Sequence, residues 1–200
     1  MKTSFCLGVL LLLTSCVSIE KGYPDKRYYV LSAMGSGVTA NPSFNGVLMV
    51  ANFRVSPRYE GKSFVYRRSE ANFESDFYNQ FLVSPGALLT EEVRRGLARA
   101  QIFQYIVSAS SRLEPTHILE GSVNALYGDF RDTSSPRAVL EMEFFLSREL
   151  PANAEIVTQK RYSESVAVNG RSPEALVKGW NEALEAILSS LVVDLKSTNL

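Results

Sequence analysis

The sequence predicts an α+β domain, a largely antiparallel sheet with helices packed on one face and a long amphipathic helix at its C-terminal end. Three observations carry this prediction. In 137–148, Ala138, Leu140, Met142, Phe144 and Leu146 alternate with Glu141, Glu143 and Ser147, the period of a half-buried strand. Segments of similar length at 116–127 and 156–168 flank it, separated by turn-rich gaps, so the three read as a meander with one dry face. Leu176, Trp180, Leu184, Ile187, Leu188, Leu191 and Leu195 then recur every three or four residues, an apolar stripe suited to that dry face.

The remaining elements follow in order. Tyr28-Tyr29-Val30-Leu31 suits a first strand, because aromatic and β-branched side chains fit a pleated surface. Residues 34–44, with Gly35, Gly37, Asn41 and Pro42, read as a loop. Val47 to Ala51 is a short continuous apolar run, a second strand dry on both faces, and Ser63 to Arg67 is a third. Between Asn72 and Leu82, Phe73, Phe77 and Phe81 recur every four residues, which predicts a helix with three rings on one stripe. Ser84-Pro85 marks a helix start whose inner face carries Leu89, Val93, Leu97 and Ala100, and a strand is expected around 103–107. Ser172-Pro173-Glu174 opens the last helix as cap, first position and first-turn acid. No internal repeat divides 26–197, which is read as a single domain.

The amino terminus is an export signal. Lys2 supplies a positive n-region, and the apolar run through Phe5, Leu7, Val9 and Leu10 to Leu13 stops after about ten residues, half of what a membrane-spanning helix needs. Leu13-Thr14-Ser15-Cys16 resembles the lipobox of bacterial lipoproteins. The resemblance implies cleavage after residue 15, a diacylglycerol on the Cys16 thiol and a tether over 16–25. Of the two cysteines, Cys6 is then discarded and Cys16 modified, so the mature chain is held without a disulfide. Val17 rather than aspartate follows Cys16, which by enterobacterial-type sorting favours the outer membrane over the inner, facing the periplasm.

Composition narrows the chemistry. Lysine plus arginine balance aspartate plus glutamate at 21 each, and removal of residues 1–15 takes Lys2 and no acid. A nucleic-acid partner, which needs a basic excess, is therefore not expected. One histidine, His117, would have to serve any hydrolytic triad, and no Gly-x-Ser-x-Gly elbow presents a nucleophile. One histidine without a free thiolate does not furnish a zinc shell, and no phosphate-binding glycine loop is present. The chain is read as non-enzymatic, with no metal and no cofactor beyond the lipid on Cys16.

One bias stands out: Tyr59, Phe64, Tyr66, Phe73, Phe77, Tyr78 and Phe81 fall within 59–81, beside Arg67 and Arg68. Such rings are either core or an outward apolar patch for a partner or acyl chains. Tyr59, Phe64, Tyr66 and Arg67 are the candidate partner- or lipid-binding residues.

Taken in order, Tyr28-Tyr29-Val30-Leu31 after the lipobox, Tyr59-x-Gly61-x-x-Phe64-x-Tyr66-Arg67, Phe77-Tyr78-Asn79-Gln80-Phe81 and Pro85-x-x-Leu88-Leu89 resemble the auxiliary lipoproteins of ABC-type transport systems, the PqiC-like group. The resemblance implies an accessory subunit, without catalytic residues, that works with an MCE-domain protein and an ABC permease or other integral-membrane component to move lipids between inner and outer membranes. A homo-oligomeric ring would match the symmetry of an MCE assembly. A structural lipoprotein of another envelope complex and a lipoprotein hydrolase built on His117 are the alternatives.

Overall fold

A computed structural model describes residues 25–33 and 42–198. The signal, Cys16, tether residues 17–24 and loop residues 34–41 lie outside the described residues. Nine strands, β1 (Arg27–Tyr29), β2 (Phe44–Val50), β3 (Arg54–Val55), β4 (Ser63–Arg67), β5 (Phe73–Phe81), β6 (Phe103–Ser108), β7 (His117–Asp129), β8 (Arg137–Glu149) and β9 (Ala154–Ala167), form one sheet. Helix α1 (Pro85–Arg99) and helix α2 (Pro173–Ser197) complete the α+β fold.

The meander forms as its period predicts. β7 pairs antiparallel with β8 from His117↔Arg148 to Asp129↔Arg137, and β8 pairs with β9 from Arg137↔Ala167 to Glu149↔Ala154. The alternating set Ala138 to Leu146 is buried throughout. β7 alternates less cleanly because its register shifts between Val123 and Ala125. The extra residue, Asn124, moves the inward positions from Leu119 and Val123 to Leu126.

The other edge of β7 is tiled end to end by three short strands, each parallel to it. β2 covers His117 to Leu119, β3 covers Ser122 and Val123, and β4 covers Gly128 and Asp129. β6 adds to β2 in parallel, β5 to β4 antiparallel, and β1 to β5 in parallel. The longest ladders are antiparallel, so the predicted character of the sheet holds, with a parallel patchwork at one side.

Two expectations are corrected. Residues 73–81 are strand, not helix: a four-residue spacing satisfies period two as well as period 3.6, and the intervening polar residues left both readings open. Phe44 begins β2 instead of ending a loop, and within that strand Leu48 and Val50 are buried while Val47 and Met49 are half-buried.

The helices cap the dry face. Ser172 Oγ accepts the Ala175 N–H at 3.1 Å, closing the start of α2 as predicted; Ser84 occupies the cap position of α1 without a side-chain cap bond. All seven stripe residues of α2 are buried, as are Leu89, Val93 and Leu97 of α1. The helices approach closely at Gly96, where a Cβ would stand 2.9 Å from Leu188 Cδ1. Gly121 on β7 gives the same service to the Phe53 ring, 2.6 Å from where its Cβ would lie.

Trp180 is the centre of the core at one end. Its ring is edge-on to Phe64 at 4.9 Å and tilted against Phe81 at 5.5 Å, and its Nε1–H donates to the Tyr127 carbonyl. The chain after β1 is clamped to α1: buried Glu92 accepts the Ala33 N–H at 3.0 Å, and Arg99 donates to the Ala33 carbonyl at 2.6 Å. β1 itself is tied to α2, since Tyr29 Oη donates to Glu174 Oε1 at 2.6 Å. Burial, reinforced by that bond, pushes the Tyr29 hydroxyl up to about 12.

Candidate interaction surface

The four candidate residues from the aromatic segment do not form one exposed patch. Phe64, on the inner face of β4, is wholly buried against Tyr29, Phe81 and Trp180. Tyr59 is also buried and stacks on Tyr127 at 5.9 Å. Tyr66 is half-buried, with its hydroxyl donating to Asp76 Oδ2 at 2.7 Å; burial and that bond both raise its pKa. Arg67 donates to Glu70 at 2.7 Å and stacks over Phe73 at 5.5 Å. These two aromatic residues are thus corrected from binding surface to packing: Phe64 because β4 places it on the inner face, Tyr59 because the turn before β4 folds it onto Tyr127.

Arg67 and Tyr66 belong to a polar arch around the β4–β5 turn. Arg68 pairs with Glu74 at 2.7 Å and lies over the Tyr66 and Phe130 rings. Arg131 bridges Asp129 at 2.7 Å and Glu70 at 2.5 Å. The guanidinium beside it holds the Asp129 carboxyl below its ordinary range, and the same partner does so for Glu70. With its charges paired in this way, the arch holds the turn rather than presenting a free cationic site.

Asp76 decides the shape of β5. Opposite β4, the register jumps from Phe64↔Asp76 to Ser63↔Gln80, and Asp76 Oδ1 accepts the backbone N–H groups of Tyr78 and Asn79 within the jump. Burial raises the Asp76 carboxyl, but the bonds from Tyr66, Asn79 and the two backbone groups outweigh it, and the net pKa is lowered. A carboxyl lowered in the fold adds stability that is complete above its unfolded pKa of about 4 and is lost as pH falls through the folded value. Asp76→Ala should therefore cost about 1–3 kcal/mol at neutral pH, and the deficit should shrink toward zero on acidification. Urea unfolding at several pH values reads both.

Phe77 faces outward like Phe73 and Ser75, and the register jump that follows turns the later residues of β5 over. Phe77 is 62% exposed, while Phe81, four residues on, is 2% exposed in the core. Next to it on β1, Tyr28 and Val30 face out at 55% and 50%, alternating with inward Tyr29 and buried Leu31. The β1–β5 register sets Tyr28 beside Gln80, and the Leu82 N–H donates to the Tyr29 carbonyl, so 52%-exposed Leu82 continues the same strip next to Val30. Lys26 Nζ sits 4.1 Å from the Phe77 ring centroid, and Lys62 Nζ donates to the Leu82 carbonyl at 3.1 Å. An apolar strip edged by two lysines is the outer surface of the sheet at β1. The sequence signal for it was the unbroken apolar run 28–31 in a strand that ends the sheet, where one face of the run must remain uncovered.

His117 is buried on β7. Its Nδ1 is 3.0 Å from Thr116 Oγ1, its ring lies 5.0 Å from that of Phe103, and Nε2 has no hydrogen-bond partner among the described residues. Burial, then the nearby Arg148 charge, lowers its pKa and keeps the imidazole neutral. It packs in the wall of the sheet, and among the described residues no carboxylate is bonded to it as a triad base would require. Among the described residues there is no cluster of three metal-ligating side chains, and no helix is long and apolar enough to cross a membrane.

The fold has solved counterparts. A Xanthomonas campestris protein of family model DUF330 superposes with a TM-score of 0.73 at 14% identity, covering 83% of this chain and 92% of that one. An uncharacterised protein superposes at 0.67 with 14% identity, covering 86% and 99%. A hypothetical protein from Chlamydia trachomatis superposes at 0.52 with 10% identity, covering 76% and 96%. At these identities the likeness is one of fold. No family model and no curated protein sequence matches the chain.

Proposed function

We propose that this chain is a lipid-anchored, non-enzymatic accessory subunit of an ABC-type transport system, working with an MCE-domain protein and an integral-membrane component to move lipids across the periplasm between the two membranes. The observation that supports it is an order of features: a lipobox, a nine-residue tether and then the Tyr28, Tyr59–Arg67, Phe77–Phe81 and Pro85–Leu89 motifs, all falling in β1 to α1 of one continuous fold. Cys16 carries the lipid, and Val17 after it favours the outer membrane over the inner for the anchor. Acyl chains contribute about 0.8 kcal/mol per buried CH₂, so two or more hold the protein firmly where one would not.

The architecture also suits assembly of several copies around a conduit. β1, β6 and β9 each end the sheet, and β9 is a fourteen-residue edge whose backbone groups could be continued by a neighbouring chain. Thr158, Gln159, Lys160 and Arg161 make this edge polar, which limits pairing to a partner of complementary charge. A ring of copies is the arrangement that meets a symmetric MCE tube without a mismatch.

Capture of the acylated protein from cross-linked envelopes, followed by mass spectrometry, tests the proposal. Recovery of an MCE-domain protein is the expected result. Consistent recovery of a different envelope machine in its place would overturn the transport role.

A further inference from the structure

We infer that the outer strip of β1 and β5, made by Tyr28, Val30, Phe77 and Leu82 and edged by Lys26 and Lys62, is a membrane-contacting face. It lies against the phospholipid bilayer that holds the protein's own anchor. The inference rests on the reading of Cys16 as the lipidated residue and adds to it an orientation for the folded domain.

Three observations select a bilayer as the occupant. The first is position. Nine residues, 17–25, separate Cys16 from Lys26, and a fully extended chain of that length reaches about 30 Å. β1 is therefore the part of the domain held nearest to the anchor. Its edges are also fixed to the rest of the fold, through Tyr29 to Glu174 and Ala33 to Glu92, so the strip moves with the whole body.

The second observation is composition. Tyr28 and Phe77 are amphipathic or apolar rings that remain more than half exposed, beside the aliphatic side chains of Val30 and Leu82. Rings of this kind and leucine are what a surface presents to the boundary between headgroups and acyl chains. A protein interface of the obligate type would need a broad buried area, whereas these residues form a narrow line along two short strand segments.

The third is charge. Lys26 lies over the Phe77 ring and Lys62 reaches the Leu82 carbonyl, so both cations sit at the rim of the apolar line. Long lysine side chains lay their methylenes on apolar surface and keep the ammonium at the polar boundary. Anionic phospholipid headgroups complement them there. Phe77 keeps the outward face of Phe73 and Ser75, and the register jump at Asp76 turns Phe81 inward while leaving Phe77 in this line.

Flotation with vesicles of phosphatidylethanolamine and phosphatidylglycerol tests the proposal in a two-by-two design. One factor is Cys16→Ser, made as the mature chain from residue 16 without its signal; the other is the triple change Tyr28→Ser, Phe77→Ser and Leu82→Ser, all at exposed positions, with circular dichroism confirming the fold. The first factor alone reads the anchor, and its failure to lower partitioning would remove the lipidation reading without touching the strip. In the Cys16→Ser background, the triple change should lower the remaining partitioning by at least about tenfold. Replacing phosphatidylglycerol by phosphatidylcholine should weaken it in the same direction.

A second measurement places the face directly. With Cys16 acylated and Cys6 removed with the signal, an introduced cysteine is the free thiol of the mature chain. A nitroxide at Leu82→Cys in vesicles should be reached by oxygen and shielded from a water-soluble nickel chelate, while one at Lys178→Cys on α2 stays water-accessible. Equal water access at the two positions, or unchanged partitioning after the triple change, would overturn the proposal. So would shielding at position 82 in the absence of vesicles together with a mass above the monomer, which would assign the strip to contact between copies.

Discussion

Exported behind a secretory signal that is cut without lipidation, the Cys16→Ser chain is expected to move nearly entirely from the membrane to the soluble periplasmic fraction, the largest single effect of any substitution in the chain. The reason is the size of the acyl term. At about 0.8 kcal/mol per buried CH₂, two long chains outweigh by far what a few exposed side chains supply. Lys26 and Lys62 add attraction of about 1 kcal/mol each at an anionic surface, enough for weak residual partitioning and not for retention. Fractionation with sucrose-gradient separation of inner and outer membranes reads the result. Wild-type protein should band with the outer membrane, and exchange of Val17 for aspartate should draw it to the inner one. A Cys16→Ser protein that still sediments with membranes would show that some other feature anchors the chain.

Trp180→Ala is expected to destabilise the fold by about 3–5 kcal/mol, a large part of the 5–15 kcal/mol that domains of this kind possess. The ring is fully buried and closes a cluster with Phe64 and Phe81, which join α2 to β4 and β5. Its loss opens a cavity between the last helix and the first half of the sheet, and the Tyr127 carbonyl loses its donor. The measurement is the urea midpoint followed by far-ultraviolet circular dichroism, because Trp180 is the chain's one tryptophan and its own fluorescence goes with it. Phe77→Ala provides the contrast. An exposed ring of similar size should change stability by less than about 0.5 kcal/mol, so the pair separates packing from surface within one aromatic segment.

Much of the fold was legible because hydrophobic period is a local signal. Leu176 to Leu195 and Ala138 to Leu146 each carry several repeats, and both came out as read. The errors came where a pattern was too short to separate two periods. Phe73, Phe77 and Phe81 sit at a spacing common to helix and strand, and the Asp76 turn that distinguishes them depends on contacts with Tyr66 and Asn79. Arg54–Val55 is too brief to show any period, yet it becomes a strand because β7 offers it an edge. The candidate residues failed for a related reason. Tyr59 and Phe64 are chemically fit for a binding surface, and the side of the sheet on which they fall is settled by distant residues, Tyr127 and Trp180.

The tiling of β7 by β2, β3 and β4 has a bearing on when the chain can fold. Each of these short strands finds its place on a strand that is synthesised many residues later, and the core beneath β4 is closed by Trp180 near the end of the chain. Contacts so far apart in sequence make folding slow and keep its first half from settling alone. For a chain that enters the periplasm amino terminus first, the leading half stays threadable until the trailing half has crossed. On the proposed reading of Cys16, attachment of the lipid can thus precede closure of the fold, and the domain would form on a chain already tethered ahead of its first strand.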